Sequence, residues 1–287
     1  MKTITSRSNP LVARFRAVAR AQRSARTHIL LEGARLIEDA RAAGVPIEAV
    51  VFSAEALRQR DVALTRLASA LVAGKERRDN IGQAEIVAVS ESVLAAASPA
   101  RSPSGAVAIG RHEPLALTCV FRDPPCAVAA VGVQDPGNVG AIIRAADAAG
   151  ASGVAVTEAS ADPFGWKALR GAMGSTFRIP VIDAARLEPV IKSARHAGAN
   201  VLAAVPRGGR SFYDIDFTRP MLLLIGSEGE GLELPLRTLA DDTLSIPMRS
   251  SVDSLNTATA TALILYEARR QRLAKHNDRS STGLDDH

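Results

Sequence analysis

The residues best placed to do chemistry fall in three loops in the second half of the chain. In VGVQDPGNVGAIIRAADAAG (131–150) an apolar run meets an Asp-Pro-Gly-Asn turn and then a helical pattern, which puts Asn138 at a helix mouth and Arg144 within its first turns. Asn138 can be a helix cap and Arg144 a surface charge, or the two can serve a ligand. In LLLIGSEGEGL (222–232) Gly226, Gly229 and Gly231 would let backbone amides approach a bound molecule, with Glu228 held between them. A loop carboxylate capping the next segment is the plainer alternative. In SIPMRSSVDSLNTATATALILYEARRQ (245–271) a strand-like start passes through a polar loop into a small-residue helix, with Ser254, Leu255 and Asn256 at its mouth. Capping alone would account for Ser254 and Asn256.

Something must hold these loops together. From residue 127 the apolar runs AVAAVGV, GVAVT, FRIPVI, NVLAAV, MLLLIG and TLSIP recur, several separated by helical stretches. That alternation predicts a parallel sheet covered on both faces, where ligands bind beyond the carboxyl ends of the strands. Residues 1–108 read as a smaller α/β unit: a basic helix, the helix GARLIEDARAAG, the strand IEAVVFS, a charged helical stretch from Ala54 to Leu71, the strand EIVAVS and a short helix. Pro, Ser and Gly cluster in ASPARSPSG, and RHEP and RDPPC add prolines, so an interdomain linker is expected at 109–126, ahead of a domain at 127–272. Residues 273–287 carry no apolar pattern and are expected to be disordered.

With 287 residues, 47% of them hydrophobic and 23% charged, the chain can bury a sizeable core in one or two domains. No apolar run approaches the roughly 20 residues of a spanning helix and no secretory signal is visible, so a cytoplasmic protein without a membrane partner is expected. Cys119 and Cys126 form no Cys-x-x-Cys pair and stand near no spaced histidines, which predicts two buried or idle thiols and no metal site. The net charge of +5 is concentrated at the start: Lys2, Arg7, Arg14, Arg16, Arg20, Arg23 and Arg26 all precede the first acid, Glu32. Helical spacing would put Arg16, Arg20 and Arg23 on one face, suited to a polyphosphate backbone or simply to solvent. An Arg-rich transit peptide fits poorly, because the stretch runs unbroken into ILLEGARLIEDARAAGVPIEAVVFS, which reads as an ordinary helix, turn and strand. Lys167 and Arg170, in DPFGWKALRGAMGS, are further RNA-contact candidates or a solvated face, with Trp166 read as core.

A dinucleotide-binding reading fails on context. The second loop lacks Gly-x-Gly-x-x-Gly spacing, and the first supplies only Gly137 and Gly140, although Glu158 follows twenty residues after Asn138. No Gly-x-x-x-x-Gly-Lys-Ser/Thr loop and no His-Glu-x-x-His helix occurs.

DPGNVGAIIRAADAAG, IGSEGEGL and IPMRSSVDSLNTATATALILYE, in this order at the end of one domain, resemble the three motifs of the SpoU/TrmH (SPOUT) RNA 2'-O-ribose methyltransferases. The N-terminal TSRSNPLVARFRAVAR…HILLEGARLIEDA is similar to the substrate-binding domain of many members. The resemblance implies a SPOUT-type parallel sheet with a deep trefoil knot, a ribosomal-protein-L30e-like RNA-binding domain at 1–108, S-adenosylmethionine as cofactor and a homodimer. It implies cofactor contacts from Gly226, Glu228, Gly229, Ile246, Ser254, Leu255 and Asn256. It also implies catalytic roles for Asn138, Arg144, Glu228, Ser254 and Asn256, and RNA contacts from Arg14, Arg16, Arg20, Arg23, Lys167 and Arg170. Ser227 stands where many members have Asn, and Ser250 and Ser251 replace glycines common in the third loop. The N-terminal domain favours ribosomal over transfer RNA, and the layout also fits the antibiotic-resistance branch, which includes the avilamycin-resistance ribosomal RNA methyltransferase. A transfer-RNA 2'-O-methyltransferase and a non-catalytic RNA-binding assembly factor are the alternatives; the intact polar residues of the three loops speak against the second.

Overall fold

The computed structural model describes residues 2–76, 84–228 and 231–281. The chain forms two compact units, 1–113 with 164–177, and 114–163 with 178–287.

The first unit is built on a five-stranded mixed sheet. Its elements are β1 (Lys2–Ile4), α1 (Pro10–Arg20), β2 (His28–Glu32), α2 (Ala34–Ala42), β3 (Ile47–Ser53), α3 (Ala54–Arg58), α4 (Val62–Glu76), β4 (Glu85–Val89), α5 (Glu91–Ala97) and β5 (Ala106–Arg111). The strand order is β1-β4-β3-β5-β2, with β5 antiparallel to both its neighbours. Helix α1 starts where Asn9 Oδ1 accepts the Leu11 N–H at 2.9 Å and Pro10 fills the first turn, whose missing N–H costs nothing there. It buries Leu11, Val12 and Phe15 in a core shared with Val51, Val87 and Val107. Enclosing Phe15 alone is worth about 1.5–3 kcal/mol.

Three expectations are corrected in this unit. ILLE was read into a helix, but the apolar residues Ile29, Leu30 and Leu31 lie in the edge strand β2. Strand β5 runs on to Arg111, past the expected domain end at 108. Helix α1 stops at Arg20, and Arg23 opens a separate 3-10 turn at Arg23–Ala25, so Arg23 does not share the helical face of Arg16 and Arg20.

The second unit carries a seven-stranded sheet. It comprises β6 (Cys126–Ala130), α6 (Pro136–Ala149), β7 (Gly153–Thr157), then after α7 (Trp166–Ala172) in the first unit, β8 (Val181–Ala185), α8 (Leu187–His196), β9 (Asn200–Ala204), β10 (Arg210–Ser211), β11 (Met221–Ile225), α9 (Leu234–Arg237), β12 (Asp242–Ser245) and α10 (Thr257–Ser281). The order is β10-β12-β9-β11-β6-β7-β8 and every pairing is parallel. β6, β7 and β11 are buried at every position, as strands covered on both faces must be. Helix α10 packs along α6. Gly150 ends α6 in the left-handed region at φ +77°, the usual glycine stop, and the Arg269 guanidinium reaches the Ala149 carbonyl at 3.4 Å.

The expected linker at 109–126 is partly built into this unit. A 3-10 turn at Leu117–Val120 places Val120 in the sheet core, and the Ser152 hydroxyl donates to the Val120 carbonyl at 2.7 Å. Of the tail expected to be disordered, residues 273–281 belong to α10, and 282–287 lie outside the described residues. Cys126 is buried and Cys119 half-buried. Burial pushes the Cys126 thiol up against the smaller pull of Arg272, which leaves it protonated and inert. No helix among the described residues is long and apolar enough to cross a membrane.

Candidate active site

The three loops meet at the carboxyl ends of the parallel strands. The loop after β6 turns into α6 through Asp135, whose carboxylate accepts the N–H groups of Gly137 at 2.5 Å and Asn138 at 3.3 Å. Asp135 is therefore the cap, which leaves the Asn138 amide available for another partner. That partner is Glu228 Oε1, to which Asn138 Nδ2 donates. Asn256 Nδ2 donates to the same oxygen at 2.6 Å and to Asn138 Oδ1 at 3.1 Å. One residue from each loop thus enters a closed polar ring. Both amides turn their NH2 groups toward the carboxylate oxygen, which accepts from each.

Asn256 also caps α10: its Oδ1 accepts the N–H groups of Ala258 at 3.0 Å and Thr259 at 3.2 Å. Asn256 thus caps α10 with its oxygen and joins the ring with its nitrogen, so capping does not exclude a place in the ring. Thr257, buried, donates its hydroxyl to the Gly226 carbonyl at 2.9 Å and ties the start of α10 to the second loop. Gly226 has no room for a side chain: a Cβ would lie 2.2 Å from the Gly231 carbonyl carbon. Any larger residue would force the loop open, so the glycine is a packing requirement.

Beside the ring lies a cleft of about 810 Å³, counting the open space at its mouth, between the ends of β9, β11 and β12 and the start of α10. Its apolar walls come from Val205, Pro206, Ile225, Ile246, Leu255 and Ile264, while Glu228, Asp253 and Ser254 supply polar groups. Such a cleft suits a flat aromatic ring attached to a cationic group, because the walls are apolar and both ionisable lining groups are acidic. Gly226, Glu228, Ile246, Ser254 and Leu255 all line it; Asn256 reaches it through Glu228. Gly229 lies outside the described residues. Among the described residues no cluster of three or more His, Cys, Asp or Glu is arranged to hold a metal ion.

Other expected site residues stand apart. Arg144 is exposed on α6, and no hydrogen bond or ion pair joins it to the ring. Arg14 pairs with Glu48, and Arg16 Nε donates to the Ala96 carbonyl at 3.0 Å, so both are held in place while staying exposed. Arg20 is exposed and Arg23 half-buried. Lys167 and Arg170 are exposed on α7, with the Lys167 ammonium 5.7 Å from the centre of the half-buried Trp166 ring. The motif search missed Val205, Pro206, Asp253 and Ile264, which line the cleft. Asp253 was legible as a third-loop neighbour of Ser254; the β9 end carried no signal beyond its strand pattern.

Residues 125–266 match the SpoU rRNA Methylase family, and residues 9–108 match the MRM3-like substrate binding domain. An uncharacterised tRNA/rRNA methyltransferase of Synechocystis is 34% identical over 277 residues, 95% of each chain. The 23S rRNA (uridine(2479)-2'-O)-methyltransferase of Streptomyces viridochromogenes is 44% identical over 144 residues, 48% of this chain and 50% of that one. The crystal structure of the SpoU methyltransferase AviRb from the same organism, in complex with the cofactor AdoMet, superposes with a TM-score of 0.79 at 31% identity, covering 93% of this chain and 99% of that one. Three motif loops joined by one polar ring, on an α/β sheet shared with those structures, lead to one assignment: the chain belongs to the SpoU rRNA methylase family.

Proposed function

We propose that this protein transfers a methyl group from S-adenosylmethionine to a ribose 2'-hydroxyl of large-subunit (23S) ribosomal RNA. The observation that carries this reading is the Asn138–Glu228–Asn256 ring at the edge of an apolar cleft formed by the strand ends. When bound, the cofactor supplies a sulfonium methyl to the ribose oxygen, and sulfur leaves with the bonding pair. The protein's part is alignment, and holding two reactants in near-attack geometry is worth roughly 7–11 kcal/mol. Backbone groups at Gly226, Ile246 and Leu255 hold the cofactor, with Gly229 as part of the same loop. Glu228 and Ser254 orient it from the polar side, and a carboxylate facing the cleft favours a cation there. Asn138 and Asn256 keep that carboxylate in one position.

The ribose hydroxyl must lose a proton. Arg144 carries a planar cationic guanidinium, so its role in the open protein is to bind phosphate and stabilise developing alkoxide charge, with base character confined to the closed complex. A homodimer in which a second copy completes the site belongs to the same reading. Leu263, Tyr266 and Leu273 are exposed large apolar residues on α10 and supply a surface for that copy. A deep trefoil knot at the cofactor cleft belongs to the same reading, as do a cytoplasmic location and RNA contacts from Arg14, Arg16, Arg20, Arg23, Lys167 and Arg170. Modification at a drug-binding nucleotide would confer resistance to a ribosome-targeting antibiotic; expression in a sensitive host and measurement of the inhibitory concentration tests that arm. A transfer-RNA substrate is the second reading within the same chemistry. Labelled cofactor with fractionated RNA separates the two.

A further inference from the structure

Arg207 follows the cleft-lining Pro206 just beyond the end of β9, and its side chain crosses to the third loop. Its Nη2 donates to the Ser250 carbonyl at 3.2 Å and to the Val252 carbonyl at 2.8 Å. Residues 246–255 connect β12 to α10 with little else to fix them. Among the described residues, their other hydrogen bond is a single turn, Val252 N–H to the Arg249 carbonyl at 3.0 Å. The same stretch supplies Ile246, Met248, Asp253, Ser254 and Leu255 to the cleft wall. An Asp253 carboxylate lies 3.9 Å from Arg207, but it is fully exposed and contributes little. The two carbonyl bonds are the effective restraint, strengthened by the donor's charge.

We propose that Arg207 is a positioning residue for the cofactor: it braces the third loop from the β9 side, so that one wall of the cleft is already ordered before binding. The proposal rests on the reading of this cleft as the S-adenosylmethionine site. A loop left to order itself upon binding takes that entropy cost out of the affinity, whereas a braced loop does not. Arg207 is itself largely exposed and belongs to no core cluster, so its removal should spare the fold.

The test compares the parent with Arg207→Ala and Arg207→Lys. Calorimetry with S-adenosylmethionine should show affinity weakened about tenfold in the alanine variant, the equivalent of one lost charge-assisted hydrogen bond, with partial recovery by lysine. Amide exchange in the cofactor-free protein should quicken at residues 249–255 and stay unchanged in β6 and β11. KM for the cofactor should rise while kcat at saturation stays within about twofold, the pattern of lost ground-state binding. Unchanged affinity and unchanged loop exchange would overturn the proposal. So would a loss of affinity accompanied by faster exchange throughout the sheet, which marks a general structural role. If the parent itself fails to bind S-adenosylmethionine, the cofactor reading fails, and loop exchange alone still decides whether Arg207 is a brace.

Discussion

Glu228 and Glu48 are both carboxylates on which several side chains converge, and their partners make them opposites. Glu228 receives two neutral amides, from Asn138 and Asn256. Glu48 receives Arg14, His28 at 3.1 Å and Arg111 at 3.0 Å. Neutral donors hold a carboxylate in place without cancelling its charge, so the second unit presents a fixed negative group beside its cleft. The Arg14 and Arg111 guanidinium groups cancel it, so with His28 Glu48 acts as a pin joining α1, β2, β3 and β5, and the surplus charge around it stays positive. One arrangement suits a sulfonium and the other a phosphate backbone, and substitution separates them.

The largest effect is expected at the first carboxylate. Asn256→Ala should lower methyl transfer by about 100–1000-fold, the scale of a lost preorganised polar contact. Because Asn256 also caps α10, the same change should cost about 1 kcal/mol of stability, seen as a midpoint shift of a few degrees. Equal proportional losses of activity and folding would reduce the ring to a capping device. Arg144→Ala should come next, with a loss of about 100-fold in kcat and little change in the thermal midpoint. A midpoint that falls as far as the activity does would remove Arg144 from the site.

At the second carboxylate the readout is stability and pH. Burial raises the Glu48 pKa, but the Arg111 hydrogen bond, then His28 and Arg14, outweigh it and hold the group below its ordinary value. A lowered folded pKa gives stability that is present above the unfolded value, near about 4.3, and is lost as pH falls through the folded one. Thermal midpoints should therefore show an acid-side loss that is smaller in Glu48→Gln than in the parent, with the variant about 1 kcal/mol less stable at neutral pH. Parallel pH profiles would dismiss Glu48 as a pin. The smallest effect is expected for Arg20→Ala, which should reduce the slope of log affinity for RNA against log salt by about 1 while leaving methyl transfer at saturating RNA unchanged. An unaltered slope would remove Arg20 from the RNA surface.

The two carboxylates also show what a sequence can disclose. Glu228 was legible because each of its partners sits in a loop whose glycines, prolines and flanking strand announce it, and because parallel sheets collect such loops at one end. Asp135 rather than Asn138 as the cap was less plain, since both types cap helices and only the observed geometry assigns them. Glu48 left no pattern: its partners are single charges on α1, β2 and β5, brought together by pairings such as His28 opposite Arg111 in the sheet. Strand β2 was misread for a related reason, because a short apolar run without alternation does not separate a buried strand from a helix. The tail's helix was missed because it has a polar sequence, for which hydrophobic periodicity gives no signal.

The most direct test of the central claim is transfer itself. Incubation of the protein with methyl-labelled S-adenosylmethionine and total RNA, followed by size fractionation and 2'-O-methyl mapping, should place the label in large-subunit ribosomal RNA at a ribose 2'-oxygen. Label in transfer RNA alone would contradict the ribosomal assignment, and no label in any RNA would contradict the methyltransferase account as a whole.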